Sequence, residues 1–407
     1  MMRIFDQLDP VVRLHLGDTF PACTACVIQR GQMVLNAGWG VIDPQQATSG
    51  ENRVHEGTLF DLASVTKLFT TTTFLSLVSQ GSVRLDDPLV TVVPEFGAIN
   101  PRPMDGGQDP HSKATLPTPP ELDDQTVDPA QVTFRHLLTH TSGLPPWRDV
   151  FNAAGAAPTP PDLPDPIPPE TRWQRAVAAL CRYPFVGQPD GVTVRYSDVG
   201  LLLLGEAIRR LDTASDKPSF IPPGAEQLGT LLYNPVRDHG ISREGIAPTE
   251  DDPVWRGRRV WGEVHDENAC GVGGIAGHAG LFATASTVAR FGQAWLEGAS
   301  AFGITPDVWR EATREQVAYQ GTRRGLGWAL KAGADSMAGD LMSMDAYGHS
   351  GFTGTTLWID STHDLVITLL TNRVYPGRWH TGTHGGIHAF RRAAHDTIVE
   401  TCMTGTN

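Results

Sequence analysis

The stretch Ala22-Cys23-Thr24-Ala25-Cys26-Val27-Ile28-Gln29, followed by Arg30-Gly31 and then Gln32-Met33-Val34-Leu35-Asn36-Ala37-Gly38, sets two apolar-rich runs on either side of a short turn. That pattern predicts a β-hairpin near the start of the chain. A second pair of such runs, Gly354 to Ile359 and Asp364 to Asn372, lies near the other end, and Gly325 to Lys331 is a further strand candidate. Between these ends the periodicity is helical: Val65 to Gln80, Thr133 to Leu138, Trp173 to Arg182, Val199 to Leu211 and Ser286 to Leu296. A last helix is expected from about His384 to Cys402.

Strands at both termini with helices between them predict an α+β fold, in which one antiparallel sheet assembled from the N- and C-terminal strands is flanked by helices and joined to a mostly helical lobe. The expectation is one domain over residues 1–407, with a sheet lobe at about 1–60 and 300–407 and a helical lobe at about 61–299. Two proline-rich stretches, 97–130 and 145–170, are expected as insertions draped over the surface, because closely spaced prolines resist regular helix and sheet.

Composition excludes several classes of function. Against 45 acidic residues stand 32 Lys and Arg, a net charge of −13 that repels phosphate backbones, so a small-molecule substrate is expected and nucleic acid is not. No apolar run approaches the roughly 20 residues of a membrane span, and Met1 to Asp18 lacks the basic start and apolar stretch of a signal peptide; a soluble, cytoplasmic chain is expected. The cysteines Cys23, Cys26, Cys181, Cys270 and Cys402 include one C-x-x-C, but it lies in a strand-like run with no second such pair, so buried thiols and no cofactor are expected.

Three short motifs carry chemistry. Ser64-Val65-Thr66-Lys67 opens the first strong helical pattern, which puts an ammonium within reach of a hydroxyl three residues away on the same face. Serine is a weak nucleophile without a neighbouring base, and a helix start offers N–H groups to an oxyanion. Alone, the motif also describes a helix cap beside a solvated lysine. Tyr196-Ser197-Asp198 precedes an apolar helix, and His349-Ser350-Gly351 stands at an expected strand edge before Phe352-Thr353-Gly354.

In this order the three motifs resemble the S-x-x-K, Y-x-N and K-T-G signature of serine β-lactamases and penicillin-binding proteins, in the branch that holds class C β-lactamases, D-alanyl-D-alanine carboxypeptidases and esterases. The resemblance extends over almost the whole chain through His136-Leu137-Leu138-Thr139-His140-Thr141-Ser142-Gly143-Leu144-Pro145, Gly325-Leu326-Gly327-Trp328 and Leu370-Thr371-Asn372-Arg373. It implies a cleft between sheet and helical lobe, and a serine hydrolase that passes through an acyl-enzyme on an ester, amide or β-lactam. Ser64 is then the nucleophile, Lys67 and Tyr196 move the proton, and the backbone N–H groups of Ser64 and Phe352 hold the oxyanion. Asp198, His349, Ser350 and Gly351 contact substrate.

Two departures matter. Asp198 stands where the signature has Asn; ionised, it would pair with Lys67, raising the lysine pKa, and an Asp198→Asn change is expected to be tolerated or to improve β-lactam acylation. His349 stands where many relatives have Lys. With a free pKa near 6.5 it is expected to be mostly neutral above pH 7 and to charge toward pH 6, so neutral esters are expected to outperform carboxylate-bearing substrates. Two rival readings are a non-catalytic binding protein on this fold, with Asp198 marking decay of the site, and a metal-dependent hydrolase using His265, Asp266 and His278, although their irregular spacing argues against a metal.

Overall fold

All of the strand Ala22–Gln29 but its last residue is buried. Alternate side chains enter two different cores, Cys23, Ala25 and Val27 on one side and Ala22, Cys26 and Ile28 on the other. A strand covered on both faces reads as a nearly continuous apolar run, which is the pattern in the sequence. The same alternation places Cys23 and Cys26 on opposite faces of the sheet, so they cannot pair. All five cysteines are free and buried, and burial pushes the Cys26 thiol up to about 12.

The computed structural model describes residues 4–46, 52–110, 112–212, 219–333 and 335–404. Ala22–Gln29 pairs antiparallel with Gln32–Gly40 on one side and with Leu365–Thr371 on the other, Cys23 lying opposite Thr371 and Gln29 opposite Leu365. The two chain ends therefore do share one sheet. Its eight strands run in the order Val317–Tyr319, Thr322–Arg324, Ala329–Leu330, Tyr347–Ser350, Thr356–Asp360, Leu365–Thr371, Ala22–Gln29, Gln32–Gly40. The candidate strand Gly325 to Lys331 shortens to Ala329–Leu330, because Gly327 turns with φ 73° against the side chain of Thr71.

Helices cover both faces. Ile4–His15 and Gly386–Thr404 pack Leu8, Val12, Phe390 and Ile398 against Trp358, Ile367 and Leu369. The first of these was not expected from the sequence: Pro10 sits inside it and interrupts the apolar pattern of Leu8, Val12 and His15. On the other face lies Ala285–Leu296, which the sequence had assigned to the helical lobe. Its buried stripe of Val288, Phe291, Gly292 and Trp295 explains the correction, since Gly292 comes so close that a Cβ there would lie 2.7 Å from Val366 and 2.8 Å from Leu357.

Four further helices, Thr66–Ser79, Phe134–Thr139, Pro169–Leu180 and Asp198–Leu211, gather beside the sheet. Thr66–Ser79 is buried over most of its length despite a run of four threonines, which are poor helix formers. Thr72 and Thr73 satisfy their hydroxyls on the carbonyls of Leu68 and Phe69 at 2.7 and 3.1 Å. The stretch 145–170 is not simply draped on the surface: it contains the helix Val150–Ala154 and buries Trp147, Val150 and Phe151. Pro169 begins the next helix at the position where a missing N–H costs nothing, ahead of the expected start at Trp173. In 97–130 the pairs Arg102–Val127 and Pro103–Thr126 form a short ladder. Among the described residues no helix is long and apolar enough to cross a membrane.

The close approach at Gly292 makes a prediction. Gly292→Leu overpacks the sheet–helix interface and lowers unfolding stability by about 1–3 kcal/mol, read as a fall in the urea midpoint with unchanged slope. An unchanged midpoint would show that this face is not tightly packed.

Candidate active site

The nucleophile turn begins with a strained residue. Ala63 has φ 45°, left-handed backbone that a residue with a Cβ adopts only when its surroundings impose it. Those surroundings converge on Asp61. The Ala63 N–H donates to Asp61 Oδ1 at 2.8 Å and the His265 N–H to Oδ2 at 2.6 Å. The hydroxyls of Thr353 and Thr355 reach the carbonyls of Asp61 and Leu62, each at 2.8 Å. Burial pushes the Asp61 carboxyl up, against the two N–H bonds that favour its charge. Sequence reading missed Asp61; its only local signal was an acidic residue just ahead of the helix start.

The turn delivers Ser64 to the edge of the cleft, and Thr66–Ser79 places Lys67 one helical turn on. The Lys67 ammonium is fully buried. It donates to Ser64 Oγ at 2.8 Å and to the His278 carbonyl at 2.9 Å, and pairs with Asp198 Oδ1 at 2.8 Å. Burial opposes its charge, but Asp198 and Tyr196 more than offset that and raise the lysine above its ordinary value.

Tyr196 precedes the helix Asp198–Leu211, whose N-cap Ser197 accepts from Gly200 N–H at 3.0 Å and donates to Pro145 at 2.7 Å. The Tyr196 hydroxyl is buried beside Ser64 and Lys67 with no well-aligned hydrogen bond among the described residues. Burial holds the proton on the phenol, outweighing the pull of Lys67. His140 grips the residues on both sides of it. Its carbonyl accepts from Arg195 N–H at 2.8 Å, its Nδ1 accepts from Ser197 N–H at 3.1 Å, and its ring lies 4.5 Å from the Tyr196 ring. That bond needs an unprotonated Nδ1, and burial with Arg324, Lys67 and His349 nearby keeps His140 well below the usual histidine range.

The strand Tyr347–Ser350 forms the facing wall. His349 is buried, donates from Nδ1 to the Ser350 carbonyl at 2.9 Å, and lies 5.9 Å from the Tyr196 ring. Burial, then the charges of Lys67 and Arg324, pull it down to about 3. The expected protonation near pH 6 is therefore overturned. Ser350 turns its hydroxyl to Met337 Sδ at 3.5 Å, and a Cβ at Gly351 would lie 2.5 Å from the Leu62 carbonyl, so only glycine lets the strand end meet the nucleophile turn. Phe352 is clasped between His265, 5.8 Å away, and the Arg373 guanidinium, 4.3 Å from its ring.

Arg324 is the largest feature that sequence reading missed. Its guanidinium lies 5.3 Å from the Tyr196 ring, with Nε and Nη1 buried and without a protein acceptor among the described residues. With Ser64, Tyr196, His349, Phe352 and Arg373 it lines a cleft of about 560 Å³ whose lining residues include no carboxylate.

His265, Asp266 and His278 divide into separate pairs. His265 Nε2 meets Glu250 at 2.9 Å, while His278 Nε2 meets Asp266 at 2.8 Å. Asp266 also caps the Ala269 N–H at 2.7 Å; burial pushes its carboxyl up, but His278 prevails and holds it well below the usual range. The pair thus steadies the loop whose carbonyl receives Lys67. Among the described residues no three His, Cys, Asp or Glu side chains are disposed to hold a metal ion.

The family model described as Beta-lactamase matches residues 13–385. A protein of Escherichia coli (strain K12), provisionally named a D-alanyl-D-alanine carboxypeptidase, is 27% identical over 396 residues, covering 90% of this chain and 82% of its own. A solved structure of EstCE1, described as a hydrolase with promiscuous acyltransferase activity, superposes with a TM-score of 0.67 at 16% identity, covering 98% of each chain. A penicillin-binding-protein homologue from Caulobacter crescentus gives a TM-score of 0.63 at 18% identity, covering 97% of this chain and 98% of that one. These likenesses bear out the expected fold and its resemblance.

The depressed pKa of His349 has a stability consequence. The unfolded chain takes up this proton near pH 6.5, whereas the native state refuses it until about pH 3, so the contribution is present above pH 6.5 and is lost as pH falls. His349→Gln is expected to reduce the acid slope of unfolding free energy by up to about 1.4 kcal/mol per pH unit between pH 6 and 4, measured by urea titration. An unchanged slope would mean that His349 charges freely in the folded state.

Proposed function

The chain belongs to the beta-lactamase family, and from that premise we propose that it is a serine hydrolase that forms an acyl-enzyme on Ser64 with an ester, amide or β-lactam carbonyl. The observation that carries this reading is Ser64 Oγ, 2.8 Å from a fully buried lysine ammonium at the edge of an open cleft. Ser64 attacks the carbonyl, and its proton leaves through the group formed by Lys67 and Tyr196. The backbone N–H groups of Ser64 and Phe352 receive the oxyanion, each such donor being worth about 10²- to 10³-fold in rate. In support, the Phe352 N–H meets no protein acceptor among the described residues, while its carbonyl is fixed by Arg373 Nε at 2.7 Å. Tyr196, protonated through burial, is suited to protonate the leaving group.

The charge of the cleft narrows the substrate class. His349 stays neutral, but Arg324 presents two unpartnered nitrogens, and a buried guanidinium without an anion is costly. We read Arg324 as the receptor for a substrate carboxylate, in place of the preference for neutral esters that the histidine alone suggested. The terminal carboxylate of a D-alanyl-D-alanine peptide, the substrate type in the name of the Escherichia coli relative, has this chemistry.

Ser64→Ala is expected to abolish turnover of both a nitrophenyl ester and a D-alanyl-D-alanine peptide, and Lys67→Ala and Tyr196→Phe to lose at least about 10²-fold. Activity that survives in Ser64→Ala ends the reading, and activity lost to a chelator would favour the metal-dependent alternative. Arg324→Gln is expected to lower kcat/KM for the carboxylate-bearing substrate about 10- to 100-fold, the worth of a charge-assisted bond, while a neutral acetyl ester changes less than about twofold. Equal losses on the two substrates would show that Arg324 does not read the carboxylate.

A further inference from the structure

The proton of Ser64 has no ready acceptor in the resting site. Lys67 donates to Ser64 Oγ and to the His278 carbonyl and is ion-paired with Asp198 Oδ1, and as an ammonium it offers the serine a donor and no lone pair. Tyr196 keeps its own proton. A carboxylate oxygen of Asp198 does, however, stand 2.8 Å from Nζ. Asp198 is the first residue of the helix Asp198–Leu211, and its N–H is fixed to the Pro146 carbonyl at 2.9 Å. It is absent from the cleft lining, which suits a group that handles protons and not substrate.

We propose that Asp198 is the resting proton acceptor of acylation, acting through Lys67; the proposal rests on the serine-hydrolase reading. Lys67 passes a proton from Nζ to Asp198 Oδ1, and the lone pair so freed takes the proton of Ser64 as the Oγ–carbon bond forms and the carbonyl π pair moves onto oxygen. When that pair re-forms the carbonyl, the bond to the leaving group breaks and the leaving atom takes a proton from Tyr196. Lys67 reprotonates the phenolate, and Asp198 returns its proton to Lys67. The net transfer is one proton from Ser64 to the leaving group, with Asp198, Lys67 and Tyr196 restored. Water repeats the cycle in deacylation with Ser64 as leaving group.

The groups facing Lys67 and Asp198 are Tyr196 and the Asp266–His278 pair, with His140, His349 and Arg324 beyond them. Asp266 pairs with His278 and caps Ala269, which leaves Asp198 as the carboxylate ion-paired with the lysine among the described residues. An amide at 198 could hydrogen-bond Lys67 but could not take its proton, so the tolerance of Asp198→Asn expected from sequence is reversed.

The test is the pH profile of Asp198→Asn. At pH 7 its kcat is expected to fall at least about 10²-fold with KM little changed, and the deficit to shrink toward pH 10, where Lys67 without its carboxylate partner can itself lose a proton. Asp198→Glu is expected to recover much of the loss at pH 7. If the amide variant does not fold, Asp198→Ala assayed with added formate carries the same test, saturable rescue being expected. Wild-type kcat with an unshifted profile, a deficit equal at every pH, or no formate rescue overturns the proposal. Covalent labelling of Ser64 and the Ser64→Ala blank separate the two claims: a dispensable Ser64 ends the serine-hydrolase reading, whereas an essential Ser64 with an indifferent residue 198 ends the relay alone.

Discussion

An ammonium taken wholly out of water is the constraint around which the cleft is built. A buried lysine without partners would cost several kcal/mol or discharge. Lys67 stays charged because three segments supply acceptors: the turn at Ser64, the helix start at Asp198 and the loop at His278. The cation therefore also holds these segments in place. Its field reaches further, helping to keep His140 and His349 neutral. In His140 that neutrality preserves the acceptor nitrogen that fixes the backbone next to Tyr196. Burial is the larger cause of that neutrality, and the lysine charge adds to it.

The second constraint ties the site to the sheet. Left-handed backbone at Ala63 aims Ser64 outward, and it is kept by Asp61, by Thr353 and Thr355, and by the absence of a Cβ at Gly351. These contacts bring together residues near the start of the chain with the end of the strand Tyr347–Ser350. The strand Ala22–Gln29, next to the sheet edge, pairs with Leu365–Thr371 and so closes a sheet from distant ends.

Much of this was legible in the sequence where the signal is local. The two-sided burial of Ala22–Gln29 wrote itself as an apolar run, and the Ser64–Lys67 spacing followed from helical geometry alone. The amphipathic helix Ile4–His15 was hidden by Pro10, and Ala285–Leu296 was recognised as a helix but given to the wrong layer, since its packing surface is fixed by Val366 and Leu357 far along the chain. The harder residues were those whose role depends on remote partners. His140 lies in a motif that was noticed without a task, and its hold on Tyr196 is a contact across the fold. Arg324 is unremarkable until its guanidinium nitrogens are seen to lack acceptors. The pKa of His349 depends on Lys67 and Arg324, charges that no spacing rule places beside it.

The serine-hydrolase reading requires that Ser64 become covalently acylated. Its most direct test is intact-mass measurement of the folded protein after exposure to a penicillin and, separately, to a fluorophosphonate, followed by peptide mapping of any adduct. The arrangement of Ser64, Lys67 and Tyr196 predicts one adduct per chain with the fluorophosphonate, and a penicilloyl adduct trapped by acid quench, both on the peptide that carries Ser64. No adduct with either reagent, or adducts on another residue, would contradict it.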